Sequence, residues 1–421
     1  MLELIKRYLS REKAPDILRW PFTYSLGQAM IRGRLLRFPY RAAAMMVDYG
    51  LEETKKVYNR RLPSVWASAF FPTELLHALG IPVFSPEVAA ALVASFGFQE
   101  HFLKEAESRW WGRDNCSFHR CAIGGLFSRY YPQPAAFCVS SHLCEGAVLM
   151  FSNLARIYKR PFLLLDVPVE QDSDSLRYVK TQLRQLISSL EEIAGLSLHH
   201  EKLEEAVANA EVARRAMQKV NDLRLHPASP LTAKEAFSYL YLYFTGLGSR
   251  AMPRVYETLA GELQERIRES EQKKEPGRHS RFKLLWLHLP PFYRNNILGY
   301  LEEKGARVVF EEFSHVYWES MDPGRPLESI ARRMLAHFSY GDINRRIEVI
   351  KELAAKYKVD GVIHFSHWGC RQSCGSLRII RDALHKEGLP FLALDGDCVD
   401  NRNYAPGQVQ TRIDGFLEML A

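Results

Sequence analysis

Residues 361–370 read Gly361-Val-Ile-His-Phe-Ser-His-Trp-Gly-Cys370, and residues 391–398 read Phe391-Leu-Ala-Leu-Asp-Gly-Asp-Cys398. Each stretch opens on a short apolar run and breaks into a polar turn that carries a cysteine. Runs of this length, bounded by turn residues, read as strands covered on both faces. Between them Gly375–Glu387 has helical spacing, so strand, helix and strand follow in the order of a βαβ unit. Working outward, Phe282–His288 (FKLLWLH) and Val308–Phe310 predict two more strands. A helix over Asn295–Lys304, with Gly305 past its end, separates them. Ile343–Lys356 and Gln408–Leu420 supply further helices.

The first half of the chain repeats this grammar. Val65–Phe71, Val83–Phe84, Ala135–Ser140 (AAFCVS) and Phe162–Asp166 (FLLLD) read as strands, with helices over Thr73–Leu79 and Glu145–Lys159. Between Ser173 and about Lys273 strands vanish, and Leu176–Ile193, Glu201–Val220 and Ala233–Phe244 read as amphipathic helices. Glu271–Ser280, broken by Pro276-Gly277, reads as a linker. The expectation is an α/β protein with two parallel-sheet units. A helical N-terminal region (1–60) precedes the first unit (61–172), and a helical connection with its linker (173–280) leads to the second (281–421).

Composition narrows the function classes. The 421 residues carry 56 basic and 49 acidic side chains, a net charge of +7 with no concentrated basic stripe. The densest run, Lys273 to Arg281, coincides with the linker, so no nucleic-acid partner is expected. No stretch approaches the length of an apolar membrane span. Met1–Trp20 lacks the apolar core of a signal peptide, so a cytoplasmic location is expected. In a reducing compartment, clustered cysteines read as metal ligands or redox groups more readily than as disulfides.

Seven cysteines fall into two groups: Cys116, Cys121, Cys138 and Cys144, then Cys370, Cys374 and Cys398. Cys138 is mid-strand between Phe137 and Val139 and reads as core. The other six lie beside strand ends or loops, where open parallel sheets bind ligands. Cys370-x3-Cys374 and Cys116-x4-Cys121 fit zinc loosely. Six thiols exceed one zinc's need, and iron–sulfur clusters accept more varied spacing. From spacing alone, a metal cluster and a set of reduced structural cysteines both stay open. Cys144 and Cys374 each precede a predicted helix, whose N-terminus favours an anionic thiolate. His364 and His367 flank the Cys370 loop as ligand or proton-donor candidates. Glu145 follows Cys144 and is either a proton relay or a favourable first-turn acid. Arg371 is placed to balance negative charge. There is no GxxxxGK[ST] loop for ATP, no GxSxG elbow and no HExxH pair. Gly246-Leu-Gly248-Ser-Arg-Ala251 lacks the third glycine of a dinucleotide fingerprint.

The ordered motifs resemble the 2-hydroxyacyl-CoA dehydratase and benzoyl-CoA reductase subunit family. They are Pro72-Thr-Glu-Leu-Leu-His-Ala-Leu-Gly-Ile-Pro, Ser141-His-Leu-Cys144-Glu-Gly, Arg160-Pro-Phe-Leu-Leu-Leu-Asp-Val-Pro168 and the two stretches quoted first. The resemblance runs from about residue 60 to the end. It implies two Rossmann-like domains with a [4Fe-4S] cluster between them, held by the positions matching Cys116, Cys144 and Cys370. It also implies a separate ATP-hydrolysing iron–sulfur activator as electron donor. The additional Cys121, Cys374 and Cys398 resemble the double-cubane branch. That branch implies a homodimeric reductase of small molecules with an [8Fe-9S] cluster on all six cysteines. Glu145 and His367 are the catalytic candidates from their places beside Cys144 and Cys370, not from the resemblance. The alternatives are a single-cubane subunit of a 2-hydroxyacyl-CoA dehydratase with an acyl-CoA site, and an electron carrier without its own substrate.

Overall fold

The computed structural model describes residues 20–33, 36–59, 63–273 and 280–421. Most of the N-terminal stretch Met1–Trp20 and most of the Glu271–Ser280 linker lie outside them. Two four-stranded sheets, parallel throughout, organise the chain. The first contains β1 (Val65–Ala67), β2 (Val83–Phe84), β3 (Ala136–Ser140) and β4 (Phe162–Leu165), in the order β2-β1-β3-β4. The second contains β5 (Phe282–Leu287), β6 (Ala306–Glu311), β7 (Gly361–His367) and β8 (Phe391–Gly396), in the order β6-β5-β7-β8. The α/β expectation holds, and both sheets use one connectivity. Strand order reverses between β1 and β3 and again between β5 and β7. Each reversal opens a crevice at the carboxyl ends of the central strands.

The helices, in chain order, are α1 (Pro21–Arg32), α2 (Arg41–Val57), α3 (Glu74–Leu79), α4 (Pro86–Phe96), α5 (Gln99–Glu107), α6 (Ser117–Phe127) and α7 (Glu145–Tyr158). Then come α8 (Ser173–Ala194), α9 (His200–Leu223), α10 (Ala233–Thr245), α11 (Ala251–Gln272), α12 (Ile297–Glu303) and α13 (Pro326–Leu335). Last are α14 (Ile343–Tyr357), α15 (Arg371–Cys374), α16 (Leu377–Lys386) and α17 (Pro406–Leu420). Local chemistry fixes several ends. Asp172 caps α8 by accepting from the amides of Asp174 and Ser175, and Thr232 with Glu235 forms a capping box on α10. Among the described residues no helix is long and apolar enough to cross a membrane.

The central strands are the most enclosed. All five residues of β3 and all seven of β7 are buried, and in β7 the buried set includes the polar residues His364, Ser366 and His367. Cys138 lies in β3 within this core. Several expected elements are corrected. β1 ends at Ala67 rather than Phe71, because the chain turns at once, with Phe71 N–H donating to Ser68 O. The helix expected over Gly375–Glu387 is α16, which starts at Leu377, and an additional single turn, α15, precedes it. Cys374 closes that turn and precedes α16 by three residues rather than sitting at its N-cap, which is Ser376. Helices α4, α5, α6, α11 and α13 were not expected, and the Gly246–Ala251 stretch runs into α11.

Buried charge ties the two sheet layers together. Arg333 of α13 donates twice through Nη2 to the Glu74 carboxylate of α3, at 2.8 and 3.0 Å, with both side chains buried. Arg120 of α6 reaches Glu107 at 2.7 Å and Asp400 at 3.1 Å, and Arg402 pairs with the same two acids. Residues from the first third of the chain are thus locked to the loop after β8.

Candidate metal centre

Three cysteines stand at helix N-caps beside this lock. Cys116 caps α6, Cys144 caps α7 just after β3, and Cys370 caps α15 just after β7. The free amides and dipole of α6 and α7 favour negative charge on the first two sulfurs. Each of the three sulfurs faces an imidazole. Cys116 Sγ is 3.4 Å from His367 Nε2, Cys144 Sγ is 3.7 Å from His119 Nε2, and Cys370 Sγ is 3.7 Å from His288 Nε2. All three histidines are buried. The imidazoles come from β7, α6 and the residue after β5, so no short stretch of sequence contains a full set.

Gly369 brings the two halves into contact. It sits at φ +72, and a Cβ there would lie 2.6 Å from the Cys116 amide nitrogen. Only glycine lets the loop after β7 press this close to the start of α6. At the mouth, Glu145 and Arg371, the residues directly after Cys144 and Cys370, form an ion pair across the gap. Both are largely exposed, as is Trp368.

The remaining cysteines occupy different surroundings. Cys374 Sγ is directed at His367 O at 3.2 Å, with Ser366 Oγ 3.6 Å away. Cys398 Sγ is directed at Leu289 O at 3.7 Å, while its own amide donates to His367 Nδ1 at 3.1 Å. Cys398 responds electrostatically to Cys116 and Cys370, and Cys374 is one helical turn from Cys370, whose carbonyl accepts its amide hydrogen at 2.9 Å. Cys121 is placed apart from them. It is fully buried beside Tyr131, in the core shared by Trp66, Phe84 and Phe102. Five residues along α6 rotate it about 140° away from Cys116.

Burial pushes Cys116, Cys144, Cys370 and Cys398 up. Cys144 rises to about 12, with Cys370 adding to the effect of burial. Cys116 is raised well above its ordinary value, through burial and then the neighbouring Cys370 and Cys144. Cys370 and Cys398 are raised by burial in the same way. Burial lowers the imidazoles instead, His119 to about 4 and His288 well below its ordinary value. His367 is likewise lowered by burial, with Asp397 opposing. At neutral pH the set is therefore neutral imidazoles facing thiols that gain nothing by ionising alone. Soft, crowded sulfur donors of this kind suit a metal that can carry their charge.

Asp397 organises the floor. It accepts from Ser117 Oγ and from the amides of Val399 and Asp400, the latter two at 2.8 Å, and lies 3.9 Å from His367 Nδ1. Burial alone would raise Asp400, yet Arg402 and Arg120 hold its carboxyl below the usual range. His364 is buried in β7 and meets Ser373 Oγ at 3.3 Å, away from the sulfurs. Among the described residues no three His, Cys, Asp or Glu side chains converge tightly enough for a single metal ion. A cavity of about 1020 Å³, lined by Arg32, Tyr49, His77, Lys202 and Arg250, lies on another face and contains no cysteine.

Sequence reasoning missed His119, His288, Arg120 and Asp397. His119 and Arg120 lie inside the run between Cys116 and Cys121, and helical spacing over Ser117–Phe127 would have separated their faces. His288 carried no local signal.

The family model described as 2-hydroxyglutaryl-CoA dehydratase, D-component, matches residues 68–420. The (R)-phenyllactyl-CoA dehydratase alpha subunit of Clostridium sporogenes is 24% identical, covering 84% of this chain and 89% of the relative. The (R)-2-hydroxyisocaproyl-CoA dehydratase alpha subunit of Clostridioides difficile is 22% identical over 85% of this chain and 90% of its own length. A benzoyl-CoA reductase subunit of Thauera aromatica is 24% identical over 76% of this chain and 79% of its own length.

Proposed function

Because this chain belongs to the 2-hydroxyglutaryl-CoA dehydratase D-component family, we propose that it is the iron–sulfur component of a reductive enzyme, with its cluster on Cys116, Cys144 and Cys370. The observation that carries this reading is the meeting of three N-cap cysteines from both sheets, each opposite a buried imidazole. Thiolates are the customary ligands of such clusters. When bound, the cluster supplies single low-potential electrons to a small substrate. The chain's own residues hold it: α6 and α7 present their amide ends, Gly369 sets the spacing of the loops, and Arg120 with Asp397 fixes the floor. His367 and Glu145 flank the centre, one buried against Cys116 and one at the mouth.

The electron donor in this reading is a separate ATP-hydrolysing iron–sulfur activator, in keeping with the lack of a GxxxxGK[ST] loop here. The enzyme works in an anaerobic cytoplasm on a small molecule, a 2-hydroxyacyl-CoA if its chemistry follows the dehydratase relatives.

A second reading has its own support. Cys374 and Cys398 both bond to His367, the residue that faces Cys116, which favours an [8Fe-9S] double cubane in a homodimeric reductase of small molecules. That reading requires Cys121 to turn out of the core and away from Tyr131. Iron and acid-labile sulfide per chain, on protein purified without oxygen, decide between them. About four irons support the single cluster and about eight the double cubane. Zinc without iron would sink both.

A further inference from the structure

The cysteines differ in what their sulfurs face. Cys116, Cys144 and Cys370 each meet an imidazole Nε2, whereas Cys398 points at a carbonyl oxygen and Cys374 at a carbonyl oxygen with only the Ser366 hydroxyl, 3.6 Å away, as a second partner. A carbonyl can only accept, so a sulfur directed at one must keep its proton to bond. A sulfur facing an N–H can accept while ionised. For His367 the tautomer follows from the geometry: Nδ1 accepts the Cys398 amide hydrogen at 3.1 Å, so the ring proton is on Nε2 and aimed at Cys116.

We propose that His367, His119 and His288 form a shell of N–H donors that sets the reduction potential of the centre, one imidazole to each ligand sulfur. The inference rests on the cluster reading and extends it to residues that touch no metal. Adding one electron from the activator increases the negative charge on the sulfurs and neither makes nor breaks a covalent bond. The N–H···S bonds strengthen in that state, so the shell favours the reduced form and raises the potential. These are positioning residues. The backbone makes His367 the anchor, because its Nδ1 is held by the loop that also carries Cys398. His288 has no such tether: among the described residues its buried Nδ1 meets no hydrogen-bond partner in bonding geometry.

The test compares His367→Asn and His367→Gln in the full-length, anaerobically purified protein. An asparagine oxygen can still accept the Cys398 amide but its side chain stops short of Cys116, whereas a glutamine amide reaches as far as Nε2. Iron content is measured first and the midpoint potential second, by dye-mediated titration followed with electron paramagnetic resonance. At full iron loading, His367→Asn is expected to shift the balance about tenfold toward the oxidised form, a fall of 59 mV for one electron, with His367→Gln closer to wild type. A fully loaded His367→Asn with an unchanged potential overturns the inference and leaves the cluster reading standing. If His367→Asn fails to load, the reduced wild-type protein labelled with 15N-histidine decides. Hyperfine coupling to histidine nitrogen supports the shell, and its absence overturns it. A wild-type protein without iron removes the cluster reading itself, and the shell with it.

Discussion

Replacing Gly369 with alanine tests whether contact between the two sheet layers builds the centre. Two costs arise there. At φ +72 an L-residue is in the left-handed region, worth about 1–2 kcal/mol. The new methyl group would lie 2.6 Å from the Cys116 amide nitrogen and 2.9 Å from Asn115 C and Cys116 Cα. These are backbone atoms that cannot rotate aside, so overpacking adds about 1–3 kcal/mol. The sum is about 2–5 kcal/mol. Gly388→Ala is the matched control: its φ is +71, and nothing lies within 4 Å of the added methyl. Urea unfolding of both variants, followed by circular dichroism, isolates the steric part as the difference between them. On the proposed cluster reading, Gly369→Ala is also expected to lose iron, since the clash pushes the Cys370 loop off Cys116, while Gly388→Ala keeps it. Equal stability and equal iron in the two variants would refute the reasoning.

Other predictions follow from the buried charges. Arg333→Met leaves the Glu74 carboxylate buried without its partner, so it should cost about 3–5 kcal/mol in urea unfolding, and Glu74→Gln in the same background should recover part of that. Glu87 is raised by burial from 4.5 to about 7, so the folded chain holds a proton that the unfolded chain releases. That difference is absent below pH 4.5, and stability is lost as the pH climbs from 4.5 to 7. Glu87→Gln should therefore gain on wild type across this window by about 3 kcal/mol, and a parallel pH profile for the two proteins would count against it. Arg371→Gln removes an exposed pair with Glu145 and should leave the thermal midpoint unchanged. A large drop would mean that the pair carries the closure of the mouth.

The strands at β7 and β8 were legible because each opens on a short, mostly apolar run and ends in a polar turn, a pattern that needs no knowledge of neighbours. The shortness of β1 was hidden, since Ser68–Phe71 continues the apolar composition while its backbone already turns. The single turn α15 was likewise invisible, because the four residues Arg371–Cys374 are too few to show a helical period. At the site, motif resemblance picked out Cys116, Cys144 and Cys370, and the structure gathers their sulfurs with Cys374 and Cys398. The position of Cys121 needed α6, which was not foreseen: once that helix exists, its pitch carries the side chain toward Tyr131. His119 and His288 were beyond reach for a different reason. Each is paired with a sulfur on another element of its own sheet unit, so only the tertiary packing within that unit brings the partners together.

The position of the three N-cap cysteines along the chain has a consequence for biosynthesis. Cys116 and Cys144 leave the ribosome early, and Cys370 follows only after the long helical stretch and most of the second sheet have been made. Arg120 must also wait, because Asp397 and Asp400 are near the end of the chain. The first sheet can fold during synthesis, but the centre can be completed only once the C-terminal strands have docked. On the proposed cluster reading, insertion then becomes a checkpoint on a finished polypeptide, and a chain truncated anywhere before β8 would be expected to leave its early cysteines unmetallated.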